Sequence, residues 1–267
     1  MDEILQYQIR AEGDYLSRHS IALVLRDPAG RLDIGSSTCV KIGSHYLLAT
    51  AAHNIKDIDD NGIDLRAASE LSRSRLPFIA RSCSPSQPAP PTDVAWIELD
   101  ERTALQNRLQ FIALRDLQVA PGQTREHPFI IQGYPSVSVQ GDREHGRQLD
   151  LESTMALTMA AQTEQLPRPL KEYELAVEYP PRDEQDTPIE APEPHGVSGG
   201  GVWRQSRHDE QLVWSPEQAW LVGINTIWFR QSRILYCTRI EAWLQLVATD
   251  FPDTVEVVNG FLEQRPW

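Results

Sequence analysis

Three short segments hold residue types that together can turn a serine hydroxyl into a nucleophile. In residues 195–203 (HGVSGGGVW) a serine is enclosed by glycines, just after a proline-rich stretch and just before a β-type run. Glycines on both sides permit backbone angles closed to other residues and let a substrate main chain approach Ser198, as an attacking hydroxyl requires. A glycine two positions earlier frees the amides of Gly196 and Ser198 to converge on one point, which is the arrangement of an oxyanion hole. In residues 46–53 (YLLATAAH) an apolar strand ends in small residues and then His53. In PTDVAWIEL, Asp93 opens a strand whose next residues are apolar. Taken singly, each segment has a plainer reading: a flexible Gly-Ser loop, a histidine at a strand end, a strand-start aspartate. Together they supply a hydroxyl, an imidazole that titrates in the right range to take its proton, and a carboxylate to fix which ring nitrogen accepts it.

The elements that must position these residues read as β-strands. Short β-type runs bounded by turn residues recur at 21–26, 37–42, 46–50, 78–81, 94–99, 129–133, 153–160, 174–179, 201–204, 219–229 and 233–237, a pattern of strands without interleaved long helices. One helical pattern stands out at 239–248, where Ile240, Trp243, Leu244 and Val247 share a face. Residues 1–19 read as a short helix or an arm. The proline-rich stretches 82–92 and 180–194, the second of them acidic, cannot be central strands because proline removes ladder donors. The polar stretch 141–148 reads as an exposed hairpin connection, and 114–123 as the join between two β-subdomains.

Composition narrows the function classes. The 267 residues carry 25 Lys+Arg against 38 Asp+Glu, a net charge of −13, with a pI near 5.0. Such a surface repels phosphate backbones and anionic lipid, so neither nucleic acid nor a membrane is an expected partner. No stretch approaches the roughly 18 apolar residues of a membrane span, and the start MDEILQYQIR lacks a cationic leader, so the expected location is cytoplasmic. Cys39, Cys83 and Cys237 are widely spaced and read as small core residues rather than zinc ligands or a redox pair. His19, His45, His127, His145 and His208 are scattered, so no metal and no cofactor is expected. The acids of IKDIDDNGID lack the closing glutamate of a calcium loop and read as a solvated turn.

On these residues the chain resembles the chymotrypsin-like (trypsin-fold) serine peptidases, marked by Thr-Ala-Ala-His, Asp-(Val/Ile)-Ala and Gly-x-Ser-Gly-Gly segments. Thr50-Ala51-Ala52-His53 and Asp93-Val94-Ala95 match throughout, and Gly196-Val197-Ser198-Gly199-Gly200 matches with Gly201 where proline is usual. The likeness spans roughly residues 20–246. It implies an all-β fold of two six-stranded antiparallel β-barrels with a C-terminal helix. The implied division is an arm at 1–19, a first barrel at about 20–115, a second at about 124–238, a helix at 239–248 and a tail at 247–267. It further implies a serine endopeptidase working through an acyl-enzyme on a protein or peptide substrate. Ser198 would be the nucleophile, His53 the general base and then acid, and Asp93 the group that orients the imidazole, with the Gly196 and Ser198 amides holding the oxyanion. Pro192 would fall near the base of the primary specificity pocket. Thr226, Ile227 and Trp228 would lie on the strand that pairs with substrate, with His195 within its reach.

Two departures bear on activation. Val197 stands where secreted relatives carry an aspartate that pairs with a freed N-terminus, and Asn54 stands where they carry a cysteine of the disulfide flanking the histidine. The likeness is therefore to intracellular, disulfide-free members, and activation by clipping is not expected. Two other readings stay open: a peptidase switched on by a protein partner that orders 180–194, and an inactive binding or scaffold module that keeps only the barrels.

Overall fold

A computed structural model describes residues 3–26, 32–55, 66–68, 92–106, 108–119, 122–123, 125, 128–138, 140–141, 149–181, 187–189, 191–204 and 215–264. The expected strand at 78–81, residues 82–91, the acidic turn at 57–64, Cys83, His127, His145 and His208 lie outside the described residues, as do 142–148 of the hairpin connection.

Among the described residues the main strands gather into two six-stranded sheets. The first contains β1 (Ser20–Arg26), β2 (Leu32–Ile42), β3 (His45–Thr50), β4 (Arg66–Ala68) and β5 (Ala95–Leu99) in the order β4-β1-β2-β3-β5. A two-residue strand β6 (Ile112–Ala113) lies parallel to β2, so this half is not antiparallel throughout as expected. The second sheet follows β7 (Phe129–Gly133) and a small separate hairpin of β8 (Gln140–Gly141) and β9 (Leu149–Asp150). It is completed by β10 (Thr154–Thr158), β11 (Glu174–Glu178), β12 (Gly201–Arg204), β13 (Trp220–Phe229) and β14 (Ile234–Arg239), ordered β10-β7-β12-β13-β14-β11. An antiparallel bridge between Ala160 and Val177 joins the two outer strands and closes this sheet on itself, which removes its exposed edges.

The near-continuous apolar run of β3 follows from burial on both faces. Tyr46 and Leu48 point into the first barrel with Ile21, Leu23, Cys39 and Ile97. Leu47 and Ala49, one residue out of phase, join Val40 and Ile42 in a core shared with Trp203, Leu221 and Ile224 of the second sheet. Period-two alternation thus feeds two cores at once, and the shared one fixes how the sheets face each other. The second barrel is filled separately by Phe129, Ile131, Val177, Val202, Val222 and Cys237. Cys39 and Cys237 are buried free thiols whose pKa values are pushed up by desolvation, which leaves them packing residues without a thiolate to react.

Among the described residues four helices surround the sheets: α1 (Glu3–Ser17), α2 (Glu101–Gln106), α3 (Ile240–Asp250) and α4 (Val255–Gln264). The first ends with Leu16 fully buried in the shared core. The expected terminal helix runs two residues further than the pattern suggested, and its Trp243 ring nitrogen donates to the Ala95 carbonyl (2.9 Å). Residues expected to trail it instead turn back through a 3-10 segment (Pro252–Thr254) into α4, which seats Val258 and Phe261 in the same core.

His45 ties this C-terminal pair of helices to the first sheet. Its Nδ1 lies 2.7 Å from Glu98 Oε1 and its Nε2 lies 2.9 Å from Asp253 Oδ2. Burial disfavours the imidazolium, but the hydrogen bonds to Glu98 and Asp253 outweigh it and raise the pKa above the ordinary 6.5. The same contact holds the Asp253 carboxyl below its ordinary 3.8. The histidine's contribution to stability is complete below pH 6.5 and is lost as pH rises through its raised folded value, while the aspartate's is lost only in strong acid. Melting temperature should therefore fall as pH rises above 6.5 in the wild type, and His45→Gln should flatten that slope. Equal slopes in thermal melts of the two proteins would refute the contribution.

Candidate active site

Strands β3 and β5 run antiparallel with Thr50 opposite Ala95. Residues just past the end of one therefore lie beside residues just before the start of the other. His53 leaves β3 in a single 3-10 turn (Ala52–Asn54), and Asp93 stands ahead of β5. The register alone brings together two residues 40 positions apart. The Ala52 amide donates to the Asp93 carbonyl (3.3 Å) and the His53 amide to Asp93 Oδ1 (3.0 Å). His53 Nδ1 lies 2.6 Å from Asp93 Oδ2. A carboxylate can only accept, so Nδ1 carries the proton and the neutral ring presents its lone pair at Nε2. The imidazole is 40% exposed.

Ser198 arrives from the other sheet on the turn 195–200 that leads into β12. The Gly199 amide donates to the Asn225 carbonyl (2.7 Å) and the Asn225 amide to the Gly200 carbonyl (2.9 Å), pinning the turn to β13. Asn54, the neighbour of His53, donates its side-chain amide to the Ser198 carbonyl (2.9 Å). Serine and imidazole therefore share the line where the two sheets meet. The Ser198 hydroxyl donates to the Thr226 carbonyl (2.9 Å). Among the described residues it makes no bond to His53.

The turn's peptide planes are set one by one. The His195 carbonyl accepts from the Ser136 amide (2.7 Å), and the Val197 carbonyl accepts from the Gly200 amide (2.9 Å). In a trans peptide the N–H points away from the carbonyl, so the Gly196 and Ser198 amides face away from those two partners. Among the described residues neither amide donates to a backbone carbonyl. Gly196 makes this possible with φ at +94°, a conformation other residues rarely adopt.

Thr226 and Asp93 line one cleft of about 50 Å³ together with Thr92, Lys171, Tyr173 and Ile227. Glu174 also borders it, gripped by both terminal nitrogens of Arg168 at 2.6 and 2.7 Å. Burial pushes the Glu174 carboxyl up, but Arg168 and the Lys171 amide outweigh it and hold its pKa below the ordinary value. The acid is therefore already paired, and its charge is largely spent on Arg168.

The other residues singled out from the sequence scatter around this centre. Pro192 accepts from the Tyr179 hydroxyl (2.7 Å) through its carbonyl. His195 is exposed, with Nε2 3.4 Å from Asp33 Oδ1. Ile227 is exposed on the cleft, whereas Trp228 packs against the second-barrel core. Sequence reasoning passed over Ser36 and Tyr173, and it noted Asn54 only as the residue in place of a cysteine, not as a donor to the Ser198 carbonyl. Ser36 reaches the site only through the packing of one sheet on the other.

No protein-family model matches the sequence, and no curated protein matches it. Solved structures do. The chain is similar to Deg5 over 92% of its own length and 94% of that chain, at 11% identity with a TM-score of 0.54. It is similar to HL collagenase over 88% of its length and 94% of that chain, at 14% identity and a TM-score of 0.53. It is also similar to the HtrA-type protease AlgW with tripeptide, at 14% identity and a TM-score of 0.52, covering 90% of this chain and spanning 62% of that one. At such identities the likeness establishes architecture alone: two β-sheets facing each other, closed by a C-terminal helix, are the two-barrel fold of the trypsin-like serine proteases.

Proposed function

We propose that the chain is a serine endopeptidase that hydrolyses peptide bonds through an acyl-enzyme. In this reading His53 Nε2 takes the proton of Ser198 as the hydroxyl attacks, and later returns it to the leaving amine. Asp93 keeps the ring in the tautomer that can accept and stabilises the imidazolium as it forms. The Gly196 and Ser198 amides stabilise the oxyanion, and β13 residues 226–228 align the substrate backbone. The observation that carries the reading is the 2.6 Å His53–Asp93 pair beside Asn54, whose side chain holds the Ser198 carbonyl where the serine's turn meets the first sheet.

The bond from Ser198 to the Thr226 carbonyl does not weigh heavily against it. Exchanging one neutral hydrogen bond costs about 1 kcal/mol, less than a factor of ten in rate. A protein or peptide substrate fits the charge of −13 better than a phosphate polymer. A cytoplasmic location is part of the same proposal.

An organophosphorus probe tests it. Covalent labelling of the purified wild type is expected, with complete loss in Ser198→Ala. Labelling that needs an added protein would instead support a partner-triggered peptidase, and no labelling under any condition would leave the inactive binding module.

A further inference from the structure

The turn bearing Ser198 is bonded to the first barrel by side chains outside the triad. Ser36 is fully buried on β2. Its hydroxyl donates to the Gly196 carbonyl (2.7 Å) and accepts from the Tyr134 amide (2.8 Å). Its own amide donates to the Ser198 carbonyl (2.8 Å). Asn54 Nδ2 donates to that same carbonyl (2.9 Å) and to Thr50 Oγ1 (3.1 Å), which in turn donates to the Ser36 carbonyl (2.7 Å). The Asn54 amide is held flat against Gly35, where an added Cβ would lie 2.6 Å from its nitrogen.

Four consecutive carbonyls, from His195 to Ser198, thus have donors, and two of the four are served by the first barrel. Fixing the carbonyls of 196 and 198 locks the planes on either side of the peptide that presents the Ser198 amide. Val197, in the position where secreted relatives place an ion-pairing aspartate, is 2% exposed and packs in the second-barrel core. It has no charge with which to anchor the turn.

We propose that Ser36 and Asn54 are positioning residues that hold the 195–200 turn in its oxyanion-binding form, a neutral clasp standing in for a buried ion pair and for a disulfide beside the histidine. The inference rests on the peptidase reading. It follows that the turn is formed in the intact chain, without a clipped N-terminus.

The test uses Asn54→Leu, close in size but unable to donate, and Ser36→Ala. In each, kcat and the rate of organophosphorus labelling should fall roughly tenfold, the equivalent of about 1.4 kcal/mol for one lost donor. KM should stay unchanged, and amide hydrogen exchange over residues 196–199 should rise. If Ser36→Ala fails to fold, the half-buried Asn54 carries the experiment. Unchanged exchange in folded variants would overturn the clasp. Raised exchange with wild-type kcat and labelling would overturn its role in catalysis. A wild type that neither labels nor cleaves overturns the peptidase reading instead, and is told apart because exchange still rises on substitution.

Discussion

Replacing Asp93 by asparagine is expected to lower kcat about 10⁴-fold while leaving the melting temperature within a few degrees, the magnitude being that of the trypsin-fold triad. The reason lies in which atom faces which. Asp93 Oδ1 accepts from the His53 backbone amide at 3.0 Å, and Oδ2 meets Nδ1 at 2.6 Å. A carboxamide fitted there must keep its oxygen on the backbone amide, because an NH₂ group against an N–H would be repulsive. Its NH₂ then points at Nδ1, which has to offer a lone pair, and the ring proton moves to Nε2. The ring is left unable to accept from Ser198, with little change in packing at a partly exposed site. Steady-state kinetics at neutral pH and a thermal melt measure the two halves. A variant retaining activity within tenfold of wild type would reduce Asp93 to a structural partner of the turn at 52–54.

The pairing of His53 with Asp93 is legible in the sequence because it depends on local order. An apolar run, small residues and a histidine mark the end of one strand, and an acid followed by Val94 and Ala95 marks the beginning of another. Only an antiparallel register is then needed to join them. The sharp turn at 195–200 was equally legible, since Gly196, Gly199 and Gly200 announce a backbone that bends near a serine. Trp228 lies on β13 and packs against the second-barrel core, the ordinary place for a large aromatic.

What stayed hidden were contacts made only once the sheets have met. Ser36 reads as one polar residue among several in GSSTC, with no local sign that its hydroxyl bridges Gly196 and Tyr134. The second C-terminal helix was hidden for a different reason. Val255, Val257, Val258 and Gly260 each have weak helical preference, and Pro252 suggests a stop. Burial of Val258 and Phe261, three residues apart on one face, overrides that preference by supplying core contacts that an isolated segment lacks. The pattern at 239–248 showed itself because propensity and periodicity agreed there.

Gly199→Ala is expected to lower the melting temperature by about 10 °C or more and to abolish probe labelling, a far larger effect than one methyl group ordinarily has. The residue sits at φ +88°, which alone costs an alanine about 1–2 kcal/mol. Its Cβ would also fall 2.0 Å from the Ser36 carbonyl and 3.0 Å from the Ala51 amide. Both are backbone atoms, one in β2 and one just past the end of β3, so neither can rotate aside. Relief requires either lifting the turn off β13, breaking the bonds to Asn225, or spreading the two sheets and opening the core they share. A total near 4 kcal/mol translates into roughly 10 °C for a chain of this size. Gly43→Ala provides the comparison, since its φ is +59° and no atom lies within 4 Å of the added carbon. That variant should lose only the backbone share, a few degrees, and should label normally. Equal melting temperatures for the two would mean that the sheets tolerate separation at the serine turn, and the close approach there would not be what requires a glycine.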